Sequence, residues 1–228
     1  MKLAIFDLDG TLVDSMGYWR NIAKDFLNER DISISREVEN HLTTLNLRLS
    51  LLFLIDYYKL NISFEEMYEL FNKHIIDFYS NKVNLKDNAL EILKYLKDTG
   101  LDLVIGTSTN LEYAQIPVKK YGFDKYIEDI YTVETQKCPK NDPNFYKQVC
   151  DIHNVSCNET LLIDDSYIAL RNAKKSGLIT VGIYDENSAD TWTCIQKENP
   201  YSIKNLIELK NRWNFLFTFS KEVSLFLF

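Results

Sequence analysis

Short apolar runs separated by amphipathic stretches set the pattern of this chain. Leu3-Ala4-Ile5-Phe6 is an apolar run that stops at two acids, Asp7 and Asp9, followed by Gly10 and Thr11. A run of this length bounded by turn residues reads as a buried strand. Asp102–Gly106, Tyr126–Tyr131, Thr160–Ile163 and Thr180–Tyr184 have the same character. Between them, helical periodicity covers 88–99, 110–121, 143–153 and 167–176. Lys86-Asp87-Asn88 offers an N-cap to the first of these helices, Gly100 ends it, and Gly177 ends the last. Pro117 is expected to kink the second helix or confine it to one side. Such alternation predicts βαβ units, and so an α/β, three-layer Rossmann-like core with a parallel sheet covered on both faces.

One region departs from the alternation. Residues 16–82 contain no convincing strand. Met16, Trp19, Ile22, Ala23, Phe26 and Leu27 fall on one helical face, and Leu51, Leu52, Ile55 and Tyr58 form a second stripe. Phe64, Met67, Tyr68, Phe71, Ile75, Phe78 and Tyr79 form a third, with a break and cap at Asn61 to Ser63. Amphipathic helices in series can bury their stripes against one another, so the block reads as an inserted all-α subdomain. The plainer alternative is that these helices cover one face of the sheet. The expected division is a core of 1–14 and 83–210, a helical insertion at 15–82, and an apolar tail at 211–228. The tail is rich in Phe and Leu but is interrupted by Lys221 and Glu222, and neither piece is long enough to span a bilayer. Packing on the core is its first reading, an oligomer contact the second and a membrane-surface segment the third.

Three further polar clusters follow the apolar runs. Val104-Ile105-Gly106 leads into Thr107-Ser108-Thr109-Asn110, Lys140-Asn141-Asp142-Pro143 precedes a helix, and Leu162-Ile163 leads into Asp164-Asp165-Ser166. In a parallel sheet the carboxyl ends of the strands share one edge, where ligands bind. Asp7, Asp9, Thr107, Asp164 and Asp165 should therefore converge, with Lys140 reaching in from the neighbouring loop. Four carboxylates, an ammonium and a hydroxyl suit a hard divalent cation together with a phosphate. Each cluster also has an ordinary reading: the acids as helix caps or turn formers, Thr107 with Asn110 as an N-cap, Lys140 as a surface lysine.

Composition narrows the partners. At 46% apolar residues the 228-residue chain can build a substantial core, and 13 Phe and 14 Tyr make it aromatic. A net charge of −7 and the lack of any Lys/Arg block speak against nucleic acid. Cys138, Cys150, Cys157 and Cys194 form no CxxC pair. His153 lies between two of them at irregular spacing, so the four read as isolated thiols rather than a metal site. Met1 leads into the first strand without a basic, apolar leader, and the expected compartment is a reducing cytoplasm.

On these motifs the chain resembles the haloacid dehalogenase superfamily, in its phosphatase type with a helical cap inserted after the first motif. Asp7-Leu8-Asp9-Gly10-Thr11 matches the first motif, Thr107 followed at family spacing by Gly122 the second, and Asp164-Asp165-Ser166 the last. Lys140 with Pro143 fits the third, with Lys137 as fallback, although Asn141 replaces the proline usual after the lysine. The resemblance implies that Asp7 is the nucleophile and Asp9 the general acid/base. It implies Mg²⁺ held by Asp7, the Asp9 carbonyl and Asp165, with Asp164 assisting directly or through water. Thr107 and the Ser108 amide would bind phosphate oxygens, and Lys140 would offset their charge. Thr11 is expected to orient the loop through a hydroxyl bond within the turn. The helical block would serve as a lid that excludes water and selects the substrate, a small phosphorylated metabolite. Arg48 is a tempting contact for an anionic substrate but reads first as an exposed, salt-bridging side chain.

Two other functions fit the same sequence. A sugar phosphomutase would keep the fold, but helical-capped relatives of that kind often carry a histidine in the first cap helix, and here Trp19 stands near that place. A low-turnover metal-binding scaffold, with the tail as a partner surface, is the other. Dehalogenation resembles a site without the second aspartate, and Asp9 is present. No membrane and no nucleic acid are expected as partners, and the assembly is read as a monomer or homodimer.

Overall fold

The computed structural model describes residues 1–42 and 45–213. In chain order the elements are β1 (Leu3–Phe6), β2 (Val13–Asp14), α1 (Met16–Asn28), α2 (Arg36–Leu42), α3 (Leu47–Tyr57), α4 (Phe64–Asp77), β3 (Asn84–Leu85), α5 (Ala89–Asp98), β4 (Asp102–Thr107), α6 (Leu111–Tyr121), β5 (Asp129–Thr132), α7 (Val133–Gln136), α8 (Pro143–Ile152), β6 (Thr160–Asp164), α9 (Tyr167–Lys175), β7 (Ile179–Ile183), α10 (Ala189–Glu198) and β8 (Ser202–Ile203). The chain divides into two compact units, one of Met1–Asp14 with the chain from Val83 onward, the other of Ser15–Lys82.

The first unit is built on a six-stranded parallel sheet of order β5-β4-β1-β6-β7-β8. The chain moves from β1 to β4 and β5 on one side, then returns to β6, β7 and β8 on the other. The order reverses at β1, and crossovers of the right hand usual for parallel strands, run in opposite directions from that point, put helices on opposite faces. The central strands are apolar throughout because both faces are covered: Leu3, Ala4, Ile5 and Phe6 are all fully buried. Phe145, Tyr146 and Val149 of α8, Leu170 and Ala173 of α9, and Ile195 of α10 share one core cluster with Leu3, Ile5, Val104 and Leu162. A two-residue antiparallel ladder pairs β2 with β3, at the two places where the chain leaves and re-enters this unit.

In the second unit, Ser63 accepts a hydrogen bond from the Glu66 N–H at 3.2 Å, and the Glu66 carboxylate accepts from the Ser63 N–H at 3.0 Å. This reciprocal capping box starts α4 where the Asn61–Ser63 break was expected. Met67, Phe71 and Ile75 bury its apolar face, and the Phe71 ring lies 4.7 Å from that of Phe26 in α1. The stripe on α3 is rotated from the expected one. Leu51 and Leu54 are buried, whereas Leu52 is exposed, because Leu54 shares a helical face with Leu51 three residues earlier and Leu52 does not.

Other local expectations shift too. Helix α6 continues through Pro117, which removes a single hydrogen bond while Tyr113, Ala114, Pro117 and Val118 are buried. Strand β5 starts at Asp129 rather than Tyr126, because a 3₁₀ turn after Gly122 draws the Tyr126 and Ile127 N–H groups onto the Phe123 carbonyl. Asn88 precedes α5 in a left-handed conformation and makes no side-chain cap; its amide donates to Asn205 instead. Of the tail, residues 214–228 lie outside the described residues, and Trp213 before them is buried. Among the described residues no helix is long and apolar enough to cross a membrane.

Gly182 of β7 shows how tightly α10 seats on the sheet. A Cβ there would sit 2.2 Å from Ile195 Cγ2 and 3.3 Å from Leu170 Cδ1. Gly182→Ala is therefore expected to destabilise the protein by about 1–3 kcal/mol through overpacking. Urea unfolding checks this, and an unchanged midpoint would show that α10 yields without cost.

Candidate active site

Strand register determines which side chains meet. Phe6 lies between Ile105 and Ile163, so Asp7 emerges beside the last residue of β6, Asp164. The Asp7 N–H donates to the Ile163 carbonyl at 2.9 Å and fixes that position. The chain then doubles back: the Gly10 N–H donates to the Val13 carbonyl and the Leu12 and Val13 N–H groups to the Leu8 carbonyl. Gly10 adopts φ +81°, a left-handed conformation that a side chain would strain. Thr11 lies in this turn, but its buried hydroxyl finds no hydrogen-bond partner, contrary to the expected bond within the turn.

Lys140 enters from the loop before α8. A turn closed by the Asp142 N–H on the Pro139 carbonyl, with Asp142 capping the Asn144 N–H at 2.8 Å, directs it inward. Its ammonium donates to Asp7 Oδ1 and forms an ion pair with Asp164 Oδ2 at 2.8 Å. Lys140 is 6% exposed, while Lys137, the alternative, is exposed to solvent in a left-handed turn. Burial alone would favour a neutral amine, but Asp164 and Asp7 outweigh it and raise the Lys140 pKa above the ordinary lysine value.

The acids outnumber this one cation. Oxygens of Asp7, Asp164 and Asp165 lie within 4.8 Å of one another, and all three residues are buried. At such separations a pair of like charges repels by roughly 3–4 kcal/mol in a medium of effective dielectric 20. Burial raises the Asp7 pKa well above the usual carboxylate value, with Lys140 opposing and Asp164, Asp165 and Asp9 adding to the rise. Burial and then Asp164 push Asp165 up to about 7, against the Ser188 hydroxyl that bonds to it. Three hard oxygen donors and a surplus of negative charge fit a divalent cation such as Mg²⁺.

The remaining residues are placed as follows. The Asp9 carboxylate lies outside this triad, and Thr109 Oγ1 donates to its Oδ2 at 2.7 Å. Thr107 Oγ1 accepts from the Thr109 N–H at 3.1 Å, while Ser108 is exposed at the same loop. Asp164 Oδ1 accepts the Ser166 N–H at 2.8 Å, and Ser166, not either acid, caps α9 through the Ala169 N–H. Thr109 and Ser188 are contacts that sequence reasoning left out. Thr109 belongs to the recognised polar cluster after β4, but nothing in its spacing singles it out from Thr107. Arg48 and Trp19 are both in the helical unit, the guanidinium 4.6 Å from the Phe64 ring centroid and the indole N–H donating to the Tyr79 hydroxyl at 2.9 Å.

A second acidic group lies at the opposite edge of the sheet. Asp102 begins β4, Glu128 precedes β5 and His153 follows α8, with ligand atoms again within 4.8 Å. Here the surplus charge is already met. Lys97 Nζ is 2.5 Å from Glu128 and 4.0 Å from Asp102, and the Tyr131 hydroxyl meets His153 Nε2 at 2.9 Å. All three residues are at least partly exposed, so this cluster reads as a surface ion-pair network.

The chain is similar to known proteins in sequence and in fold. A family model described as haloacid dehalogenase-like hydrolase matches residues 4–183. A Clostridium perfringens protein provisionally named pyrophosphatase PpaX is 26% identical over 183 residues, spanning 80% of this chain and 84% of its own. The phosphoglycolate phosphatase of Vibrio cholerae is 26% identical over 201 residues, spanning 80% and 84%. The structure of CbbY from Rhodobacter sphaeroides in complex with phosphate shares the fold, with a TM-score of 0.76 at 16% identity over 92% of this chain and 96% of the other.

Lys140→Ala would leave Asp7 and Asp164 buried without their ammonium. The expected loss is about 3–5 kcal/mol, read by urea unfolding in EDTA. A loss below about 1 kcal/mol would mean that the acids take up protons in place of the lysine.

Proposed function

The chain belongs to the haloacid dehalogenase-like hydrolases, and from that premise we propose that it is a Mg²⁺-dependent phosphatase acting on a small phosphate monoester. The observation that carries this reading is the buried Lys140 ammonium bound to Asp7 and Asp164, with the Asp165 carboxylate within reach of both. Both signs of charge are needed to bind a phosphate dianion next to a carboxylate nucleophile, and both are present in one buried place.

Asp7 attacks phosphorus through a carboxylate oxygen, and the ester oxygen leaves as the aspartyl-phosphate forms. Asp9, oriented by Thr109, protonates that leaving oxygen. It then takes a proton from the water that attacks the aspartyl-phosphate, releasing inorganic phosphate and restoring Asp7. Thr107 and the Ser108 N–H hold phosphoryl oxygens, and Lys140 favours the ionised form of Asp7 and offsets the charge on the phosphoryl group. Asp7, Asp165 and the Asp9 carbonyl, with Asp164 assisting, would hold Mg²⁺. When bound, it supplies the positive charge that lets a dianionic substrate approach these acids. The helical unit Ser15–Lys82 is assigned the role of the inserted cap.

The curated relatives support the substrate class. One is named for phosphoglycolate and another, from Thermotoga maritima, for phosphorylated carbohydrates. Four free cysteines are compatible with a reducing compartment.

Asp7→Asn is expected to lower Mg²⁺-dependent hydrolysis of p-nitrophenyl phosphate by on the order of 10⁴-fold, with the fold retained by circular dichroism. EDTA should abolish turnover by the unsubstituted protein. Phosphate release near the unsubstituted rate in Asp7→Asn would refute the nucleophile. Sugar-phosphate isomerisation without net phosphate release would favour a mutase, and negligible turnover on a panel of phosphorylated metabolites a scaffold.

A further inference from the structure

Ser188 occupies the N-cap position of α10, where a serine ordinarily accepts a backbone N–H through its hydroxyl. Here it makes no side-chain cap. Its hydroxyl instead donates to Asp165 Oδ2 at 2.8 Å. The turn that carries it is fastened by a second carboxylate, Asp185, which is 2% exposed. Asp185 Oδ1 accepts the Asn187 N–H at 2.8 Å, and its carbonyl accepts the Ser188 N–H at 3.0 Å. Asp185 Oδ2 accepts from Lys86 Nζ at 2.7 Å. The Lys86 backbone N–H is held in turn by the Leu12 carbonyl, at the end of the loop that begins with Asp7.

Resting on the reading above, we propose that Ser188 is a positioning residue for Asp165: it occupies one carboxylate oxygen and leaves the other to face Asp7 and Asp164 and ligate the divalent cation, while the Lys86–Asp185 pair fixes the turn that presents the serine. A hydroxyl donor suits this place. It restrains the carboxylate without a formal charge that would compete with the cation. An ammonium there would repeat what Lys140 does for Asp164. Hydrogen-bond partners behind metal-binding groups commonly change metal affinity by about 10–100-fold when removed.

The test uses Mn²⁺ as the probe and the whole chain, without substrate. Free Mn²⁺ is followed by electron paramagnetic resonance, and each variant is checked by circular dichroism and by unfolding in EDTA. Ser188→Ala is expected to weaken Mn²⁺ binding about 10-fold or more, and Ser188→Thr, which keeps the hydroxyl, to restore most of it. Asp185→Asn preserves shape but removes the charge that Lys86 holds, and should weaken binding in the same direction by a smaller factor. A merely structural role would move the unfolding midpoint in EDTA and leave the metal affinity of the folded protein alone. Equal Mn²⁺ affinity in Ser188→Ala and the unsubstituted chain overturns this inference and leaves the phosphatase reading standing. Failure of the unsubstituted chain to bind Mn²⁺ overturns the metal site and this inference with it.

Discussion

A single buried ammonium placed between two aspartates is the constraint on which the site depends. Lys140 contributes one positive charge where Asp7, Asp164 and Asp165 can contribute three negative ones. A fully compensated pair would be inert, and an uncompensated triad in low dielectric would take up protons and lose its charge. One lysine against three acids lies between these limits. It opposes the rise in the Asp7 pKa without cancelling it, and leaves a deficit of positive charge that a divalent cation would satisfy. The contrasting cluster of Asp102, Glu128 and His153 replaces one carboxylate with an imidazole and sits at the surface with Lys97 beside its acids. Burial and the ratio of charges separate the two.

The sheet makes this arrangement possible without further machinery. Asp7 follows β1 and Asp164 ends β6, and parallel pairing brings these neighbouring strand ends side by side. The reversal of strand order at β1 leaves the carboxyl edge open there. The apolar strands beneath it are fully buried. Their rigidity converts residue spacing into fixed distances among the charged groups.

Much of this was legible in the chain because its strongest signals are the ones that tertiary packing reinforces. Leu3–Phe6 and Leu161–Ile163 are continuous apolar runs, and burial on both faces demands that. The acids at their ends follow from the same pattern. What was not legible is governed by a few contacts rather than by periodicity. The β2–β3 ladder is two residues long and leaves no pattern to read. Helix α6 passes Pro117 because burial of its neighbours outweighs one lost hydrogen bond. The choice between Lys140 and Lys137 rests on the Pro139–Asp142 turn, where both lysines had plausible spacing.

Ser188 illustrates the limit most sharply. Read along the chain, a serine at the start of a helix has a sufficient local explanation as a cap, and its partner Asp165 lies 23 residues earlier. Only the fold reveals that the local role is forgone. Ser166 offers the control: it too stands before a helix, directly after the acidic pair, and it does cap, through the Ala169 N–H. The two serines differ in backbone: Ser166 is extended and caps its helix, whereas Ser188 ends the 3₁₀ turn Glu186–Ser188 that Asp185 caps, and its hydroxyl goes to the buried carboxylate. With Asp185 capping the turn, the Ser188 hydroxyl is not needed by the helix and serves Asp165 instead. A hydrogen bond to a buried anion is worth roughly twice a neutral one. Departures of this kind from local rules point to groups that the fold holds for chemistry.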